Sequence, residues 1–208
     1  MIQPYEYNYV KKQITNLIDI YKTVNDKQTI MTSQELTTLS IKPILGDELH
    51  EQIRIAYLDV TLTNAKATKI FDTLKEFVVP YKESSDKQIE KSFKKVKKLK
   101  YPDLSRYDLK ETNYLAWDDI GTQRKYINFY SNNKLVGFYG VMSPTVIKNV
   151  CAICHNIDNV AMFMSTTKSS GDGTYTKKGN YICKDSTKCN QQMTSLNYLH
   201  DFYETVSK

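Results

Sequence analysis

The sequence predicts an α+β protein with two domains, a helical bundle at residues 1–82 and an α/β domain at residues 83–208. Three observations lead to this prediction. Apolar side chains recur at helical spacing in the first part of the chain, and aromatic and β-branched residues cluster in short runs after residue 112. All four cysteines lie in two pairs near the C-terminus, where they can cross-link a small domain.

The N-terminal domain is predicted to contain four helices, each with one apolar face. Asp26 is positioned to cap the second helix and Thr63 to cap the fourth. Because of Pro43, the sequence does not determine where the second helix ends. Because each helix must bury its apolar face against a partner, we predict a compact bundle. The apolar faces comprise Tyr7, Val10, Ile14, Leu17, Ile18 and Tyr21 in the first helix, Leu49, Ile53, Ala56 and Tyr57 in the third, and Ala67, Ile70, Phe71, Leu74, Phe77 and Val78 in the fourth.

A linker and a basic segment follow the bundle. Proline cannot continue a helix, so the stretch from Pro80 to Ser85 is a candidate linker. Ser85 and Gln88 form a capping-box pattern that predicts another helix. Its apolar face would hold Ile89, Phe93, Val96 and Leu99, and its solvated face Lys91, Lys94, Lys95 and Lys98.

The rest of the chain is predicted to form mainly β-strands. Residues 124–130 and 134–141 are rich in aromatic and branched residues, and Ser131-Asn132-Asn133 between them predicts a β-hairpin. The segment ending at Trp117 is a candidate additional strand. Residues 160–164 and 174–183 are predicted as two more strands, joined by a glycine-containing turn at residues 169–173.

The cysteines form a Cys-x2-Cys pair, Cys151 and Cys154, and a Cys-x5-Cys pair, Cys183 and Cys189. Zinc takes four thiolates in a tetrahedron, and a short Cys-x-x-Cys loop presents two of them to one ion. Two disulfides are the alternative, but the N-terminal residues give no sign of a leader that would direct the chain to an oxidising compartment. We therefore predict one structural zinc ion, with no open position for catalysis.

The order of the elements around the cysteines predicts a treble-clef-like zinc finger. A knuckle carries the first pair, a hairpin follows, and Cys189 lies near the start of a helix through Met193, Leu196, Leu199 and Phe202. His155 adjoins the first pair, but four thiolates already complete the site, so we interpret His155 and His200 as non-ligands. The sequence assigns no role to His50.

Charge and composition narrow the class of function. The formal net charge is +6, which favours an anionic partner such as nucleic acid, a ribosome or an acidic protein. No apolar run approaches the about 20 residues of a membrane span, so we expect a cytoplasmic protein without membrane association. The sequence lacks a phosphate-binding glycine loop, a metalloprotease histidine pair and a nucleophile elbow, so we predict a binding protein and not an enzyme.

Several motifs, in this order along the chain, together resemble the FusB-type fusidic acid resistance proteins. The motifs are the segment Tyr21–Lys27, the lysine-rich segment Phe93–Lys100, Trp-Asp-Asp at Trp117, Arg124-Lys125-Tyr126-Ile127, the Cys151 pair, and the segment from Gly173 to Cys189-Asn190. The resemblance covers essentially the whole chain. Its C-terminal motifs are the more specific.

The resemblance implies a zinc protein that binds elongation factor G and releases it from ribosomes on which fusidic acid has stalled it. The ribosome would be reached through the factor, and we expect a monomer that neither binds nor modifies the drug. By position, the resemblance implies Cys151, Cys154, Cys183 and Cys189 as metal ligands, and Lys178, Tyr181 and Phe202 as contacts with the factor. Val150 stands where the family has an aromatic residue and would make a smaller hydrophobic anchor.

A zinc-containing RNA- or ribosome-binding protein is the alternative hypothesis, because the lysines and tyrosines permit it. Such a protein would bind naked RNA with a steep dependence on salt. A factor-specific binder would instead select one protein from a lysate and would tolerate nuclease treatment.

Overall fold

The computed structural model describes residues 1–93, 96, 99–168 and 175–207. It divides the chain into two compact units, Met1–Pro80 and Tyr81–Lys208. The first unit is built from helices, and the second from a five-stranded antiparallel sheet with short helices. These elements confirm the predicted α+β class. None of the helices in the described part of the chain is long and apolar enough to cross a membrane.

The first unit contains three helices, α1 (Pro4–Thr23), α2 (Lys27–Leu58) and α3 (Asn64–Glu76). Both predicted N-caps are present. The Asp26 carboxylate accepts a hydrogen bond from the Thr29 N–H at 2.6 Å, and the Thr63 hydroxyl accepts one from the Lys66 N–H at 3.3 Å. Each bond satisfies a backbone donor that has no partner within its helix, so these residues fix where α2 and α3 begin.

α2 combines the second and third helices that the sequence predicts. Its helical conformation is interrupted at Gly46, whose φ of 73° and ψ of 169° are open to glycine and strained for other residues. Pro43 lies inside the helix and does not end it, so the second predicted helix ends at Gly46. The prediction that Ala56 lies on the apolar face is wrong, because Ala56 is exposed while Ile53 and Tyr57 are buried.

The core of the first unit is almost entirely apolar, and one polar contact explains its buried histidine. His50 Nε2 lies 2.7 Å from the Tyr57 hydroxyl, which also lies 2.8 Å from the hydroxyl of Thr38. Burial lowers the pKa of His50, so the imidazole is neutral at pH 7. The core comprises Ile2, Tyr7, Val10, Ile14, Leu17, Ile18, Ile41, Leu45, Leu49, Ile53, Tyr57, Leu62, Ala67, Ile70, Leu74 and Val78.

The sheet of the second unit has the strand order β1-β2-β3-β4-β5, with antiparallel neighbours throughout. The predicted hairpin is β2–β3, and Asn132 and Asn133 take positive φ angles of 49° and 60° in its turn, which asparagine tolerates. The strand predicted to end at Trp117 is also present. The strands are β1 (Leu115–Asp119), β2 (Arg124–Ser131), β3 (Lys134–Val150), β4 (Ile157–Lys168) and β5 (Tyr175–Cys183).

The helix predicted across residues 89–99 is shorter than expected. Helix α4 (Asp86–Ser92) begins with the predicted capping box and ends where Phe93 turns to an extended conformation. Phe93 then packs edge-on against Trp117 and Tyr126, with ring centroids 5.6 Å away in each case. The packing of Phe93 on the sheet therefore ends the helix, although apolar residues continue at helical spacing in the sequence. Lys94, Lys95 and Lys98 of the predicted lysine face lie outside the described residues, as does the turn at residues 169–173.

A glycine allows α4 to end against the sheet. A Cβ atom on Gly137 of β3 would lie 2.6 Å from the Ser92 hydroxyl and 2.8 Å from the Phe93 ring. Ser92 also accepts a hydrogen bond from the Asn128 side-chain amide at 2.8 Å. This close approach requires glycine at position 137 and fixes the C-terminus of α4.

The single helix predicted from Cys189 to Phe202 is wrong, because the structure has two helices, α5 (Ser186–Gln192) and α6 (Asn197–Ser207). Met193 leaves the helical conformation and is fully buried. The Asn156 side-chain amide donates to the Gln192 carbonyl at 3.0 Å and so caps the end of α5. The apolar spacing continues across the break, which is why the sequence pattern did not reveal it.

Candidate metal centre and the adjoining surface

The structure brings the four cysteines together from three elements. Cys151 and Cys154 lie on the knuckle between β3 and β4, Cys183 ends β5, and Cys189 lies in α5. All four are buried, and their Sγ atoms lie within 4.8 Å of one another. The separation is 3.8 Å between Cys151 and Cys189 and 3.7 Å between Cys154 and Cys183.

The donor set fits a tetrahedral zinc ion. Zinc–sulfur bonds of about 2.3 Å at tetrahedral angles place neighbouring sulfurs about 3.8 Å apart. A disulfide would instead need about 2.05 Å, and all four cysteines are free. Four soft sulfur ligands complete the coordination of one ion, so a metal bound here is structural and leaves no position for a substrate.

Backbone donors stabilise negative charge at the first ligand. The N–H groups of Ile153 and Cys183 each donate to the Cys151 sulfur at 3.3 Å. The knuckle is therefore arranged to hold a thiolate, which is the form that binds metal.

Polar contacts hold α5, and with it Cys189, against the start of β4. The Lys188 ammonium lies 2.8 Å from the buried Asp158 carboxylate, and the Gln192 side-chain amide donates to the same carboxylate at 2.9 Å. Lys188 lowers the pKa of Asp158 to about 2. A helix of seven residues is too short to be stable alone, so these bonds help to fix the fourth ligand.

A buried lysine ties the sheet to the other end of α5. Lys125 of β2 has a fully buried side chain, and its ammonium lies 3.3 Å from the Asp118 carboxylate. The ammonium also donates to the Ser186 hydroxyl at 3.0 Å and to the Lys184 carbonyl at 3.4 Å. Because Ser186 is the first residue of α5, this contact positions the N-terminus of the helix that carries Cys189.

A concave surface adjoins the knuckle and contains three of the four predicted partner contacts. Its cavity is about 490 Å³ and is lined by Val150, Tyr181 and Phe202. The remaining lining residues are Asn149, Ala152, His155, Asn180, Tyr198, Asp201 and Thr205. We call this surface the knuckle cavity.

The predicted contacts differ in their exposure. Val150 is 45% exposed, and Tyr181 is half-buried. Phe202 is only 4% exposed, because it packs against Phe138 and Phe163 at ring-centroid distances of 5.9 and 5.5 Å. Phe202 therefore forms the floor of the knuckle cavity, where little of its side chain is open to a partner.

Lys178 lies apart from the other predicted contacts. It pairs with Ser165 in β4, in a register that continues without interruption to Tyr181 opposite Met162. Three residues along a continuous strand place Lys178 and Tyr181 on opposite faces of the sheet. Lys178 is not among the residues that line the knuckle cavity.

Two aromatic residues of this surface were not predicted from the sequence. The His155 and Tyr198 rings stack with centroids 3.5 Å apart and an interplanar angle of 10°. His155 takes a φ of 55° in the knuckle. The spacing of Tyr198, Asp201, Phe202 and Thr205 places them on one face of α6, and this helical pattern could have identified them from the sequence.

Comparisons with known proteins agree with this architecture. The model of a family described as elongation factor G-binding protein, N-terminal, matches residues 1–82. The model of a second, described as FBP C-terminal treble-clef zinc-finger, matches residues 88–202. The chain belongs to this second family, whose model spans more than half of its residues. A comparison with curated protein sequences gave no match.

One solved structure is similar over nearly the whole chain. The fusidic acid resistance protein FusC has 36% sequence identity and a TM-score of 0.93, over 99% of this chain and 97% of that one. The resemblance to FusB-type proteins is thereby confirmed. Together with the four-cysteine cluster, the treble-clef match confirms one structural zinc ion in this member of the family.

Proposed function

We propose that the protein binds elongation factor G at the knuckle cavity and promotes release of the factor from ribosomes stalled by fusidic acid. The observation that carries this proposal is the convergence of Val150, Tyr181 and Phe202 in one concave surface beside the metal centre. The match of residues 1–82 to the model of an elongation factor G-binding protein supports the choice of partner. The similarity to FusC, itself a fusidic acid resistance protein, supports the role in resistance.

The zinc ion would act on binding through the backbone. Val150 immediately precedes the ligand Cys151, and Tyr181 precedes Cys183 by two residues. The Ala152 N–H donates to the Tyr181 carbonyl at 2.8 Å, which ties the knuckle to β5. The metal therefore holds both side chains in place before the partner arrives, and preorganisation lowers the entropic cost of association.

Release requires binding and no chemical step. A protein that binds the departing or free factor more tightly than the ribosome-bound factor shifts the equilibrium towards release. The protein would thus act on the ribosome through the factor, as a cytoplasmic monomer. It would neither bind nor modify the drug, and it would not be an enzyme.

The test is titration of elongation factor G into three variants. Tyr181→Ala should weaken binding by about 2 kcal/mol or more, the cost of removing an interface hot spot. Lys178→Ala should weaken binding less and mainly through the association rate, with a smaller effect at high salt, because Lys178 lies on the opposite face of the sheet and can act on the factor only through long-range electrostatic attraction. Tyr175→Ala is the matched control, because it removes a tyrosine that is 65% exposed on the same strand but does not line the cavity.

Zinc content and melting temperature should be measured for each variant, because loss of fold would also abolish binding. Normal affinity in well-folded Tyr181→Ala would remove the knuckle cavity from the proposal. Binding that disappears with nuclease, or that extends to naked RNA with a steep salt dependence, would favour the alternative of an RNA- or ribosome-binding protein.

Binding and release can be tested separately with a fragment. Tyr81 is buried in the second unit and its hydroxyl donates to the Asn128 carbonyl at 3.3 Å, so the fragment should begin at Tyr81. We expect residues 81–208 to fold, bind zinc and bind the factor. Translation in the presence of fusidic acid then shows whether the helical unit is needed for release. A folded fragment with no affinity for the factor would place the interface in the helical unit.

A further inference from the structure

The second half of β3 forms an open edge of the sheet. β2 pairs with β3 only as far as Val141, whereas β4 pairs with β3 as far as Val150. Among the residues that the structure describes, no strand lies on the other side of residues 143–150. Residues 144–150 are all exposed. Because the edge of a sheet presents unpaired backbone N–H and C=O groups, this segment is a template for a further strand.

A hydrogen bond at the end of β3 shows which backbone groups face the open side. The Cys151 N–H donates to the Asn156 carbonyl at 3.0 Å, towards β4. In an antiparallel pair, successive residues direct their N–H and C=O groups alternately towards the partner strand and away from it. The register with β4 is continuous from Val146 to Val150. The backbone groups of Val146, Lys148 and Val150 therefore point away from β4 and can pair with another strand.

This edge is protected at both ends and open in its middle. Pro144 has no N–H to offer, and the register with β4 shifts just before Val146. At the other end, the Val150 N–H donates to the Asn149 Oδ1 atom at 2.8 Å. Such features limit pairing with unrelated strands, and they leave the N–H groups of Val146 and Lys148 for a specific one.

The exposed side chains indicate the chemistry of the strand that would fit. Val146 and Val150 are 44% and 45% exposed, and Lys148 lies between them on the same face of the strand. Lys148 carries the only charge in residues 143–150. Cross-strand pairs favour opposite charges and apolar neighbours, so the matching strand has an acidic residue opposite Lys148 and apolar residues two positions to either side.

We propose that residues 146–150 of β3 bind an extended segment of elongation factor G as an additional strand, with the pattern apolar-x-acidic-x-apolar. This inference rests on the proposed function, which supplies the partner. Asn149 and Val150 also line the knuckle cavity, so the edge and the cavity form one continuous surface. A strand added to a sheet edge gains affinity from backbone hydrogen bonds and specificity from its alternate side chains.

Lys148→Pro tests the proposal, because proline removes the outward N–H without removing a hydrogen bond to β4. Its affinity for elongation factor G should fall about 10-fold or more, since a carbonyl of the docked strand loses its donor. Lys148→Ala keeps the N–H and removes only the charge. It should weaken binding about 3-fold at low salt and less at high salt.

Lys177→Pro is the matched control, at the opposite edge of the sheet. The Lys184 N–H donates to the Asn159 carbonyl at 3.0 Å, so Cys183 and every second residue before it in β5, including Lys177, direct their N–H groups away from β4. This variant removes the same charge and the same kind of N–H. It should weaken binding no more than Lys148→Ala does. Zinc content and melting temperature, measured for both proline variants, show whether each one is folded.

Amide hydrogen exchange gives a readout that side-chain contacts alone would not change. In the protein without the factor, the N–H groups of Val146 and Lys148 should exchange faster than those of Ile147 and Asn149, which face β4. Elongation factor G should slow exchange at Val146 and Lys148. The measurement uses samples of the complex that are quenched after timed exposure to D₂O.

Normal affinity of folded Lys148→Pro, or unchanged exchange at Val146 and Lys148 in the complex, would overturn the proposal. If Tyr181→Ala weakened binding in the same experiments, the proposed function would stand without the additional strand. If the wild-type protein did not bind the factor, both would fail. Concentration-dependent dimers that Lys148→Pro abolishes would assign the edge to a second copy of the chain instead. If Lys148→Pro did not fold, exchange in the wild-type complex would decide alone.

Discussion

The two units of this protein are stabilised by different kinds of contact. In the described part of the helical unit, only Asn8, Thr37 and His50 are buried polar residues, and the rest of the core is apolar. Among the residues that the structure describes in the second unit, eight polar side chains are buried, several of them next to the cysteines. These are Ser84, Thr112, Asn113, Lys125, Asn128, Asp158, Ser165 and Asn190.

The difference reflects what each unit has to hold. Three amphipathic helices can satisfy their own backbone hydrogen bonds and need only to bury their apolar faces. The second unit must fix the short helix α5 so that its cysteine meets three others. A buried polar group has to be hydrogen-bonded, and this requirement sets the relative positions of the groups it joins. We therefore expect the two units to respond to different perturbations.

The largest effect should come from loss of a metal ligand. Cys183→Ser should reduce zinc from one ion per chain to none, and should loosen residues 145–207 while leaving the helical unit protected. Structural zinc contributes about 10–16 kcal/mol of apparent binding free energy in zinc-finger peptides, so little of that region should remain ordered. Hydrogen exchange, measured segment by segment with zinc content alongside, reports both outcomes.

The control for this variant is His155→Asn, which changes the residue beside Cys154. Asparagine tolerates the φ of 55° at this position, and His155 is expected not to bind the metal, so zinc should be retained. Full stability of Cys183→Ser without metal under reducing conditions would contradict the structural role of the ion. Loss of zinc from His155→Asn would contradict the four-cysteine site.

A smaller effect, confined to the other unit, is expected from Leu17→Ala. Leu17 is 1% exposed in the core of the helical unit, and the cavity left by truncating such a leucine costs about 3 kcal/mol. Zinc content should match the wild type. An exposed position on the same helix, changed as Lys12→Ala, should alter the free energy of unfolding by less than about 0.5 kcal/mol. If the two units of Leu17→Ala were equally protected from hydrogen exchange, the core of the helical unit would be less tightly packed than the burial of its side chains indicates.

For the helical unit, the sequence predicted which side chains are buried better than it predicted where the helices are interrupted. Tyr7 to Ile18 follow the helical repeat and are buried where the repeat places them, because apolar periodicity and burial have the same cause. The break at Gly46 could not be located, because proline and glycine both interrupt helices and the sequence contains both within four residues. Met193 shows the same limit, since a buried residue can end a helix without any local signal.

The metal site was predictable because its four ligands are residues of one type, and their type and spacing alone indicate zinc. The surface beside it was only partly predictable. Val150, Tyr181 and Phe202 are far apart in sequence, and their meeting depends on the register of β4 and β5 and on α6. Tyr114 carries no motif at all. Its backbone N–H and carbonyl both form hydrogen bonds with the Asn190 side chain, which only the folded chain reveals.

The smallest of the three effects is expected at Gly46, where an added side chain would have room. A Cβ atom there meets nothing within 4 Å, so Gly46→Ala tests backbone conformation alone. Its φ of 73° and ψ of 169° lie in a region that essentially only glycine occupies, and we expect the helical unit to lose about 1–3 kcal/mol. Gly121→Ala is the control, because its new Cβ makes an ordinary contact of 3.6 Å with Asp119 and its φ is not in the positive region. Denaturant unfolding of each variant measures both changes. An alanine at 46 that stabilises the unit would mean that α2 can continue through this position as one unbroken helix, since alanine favours a helix over glycine by about 1 kcal/mol.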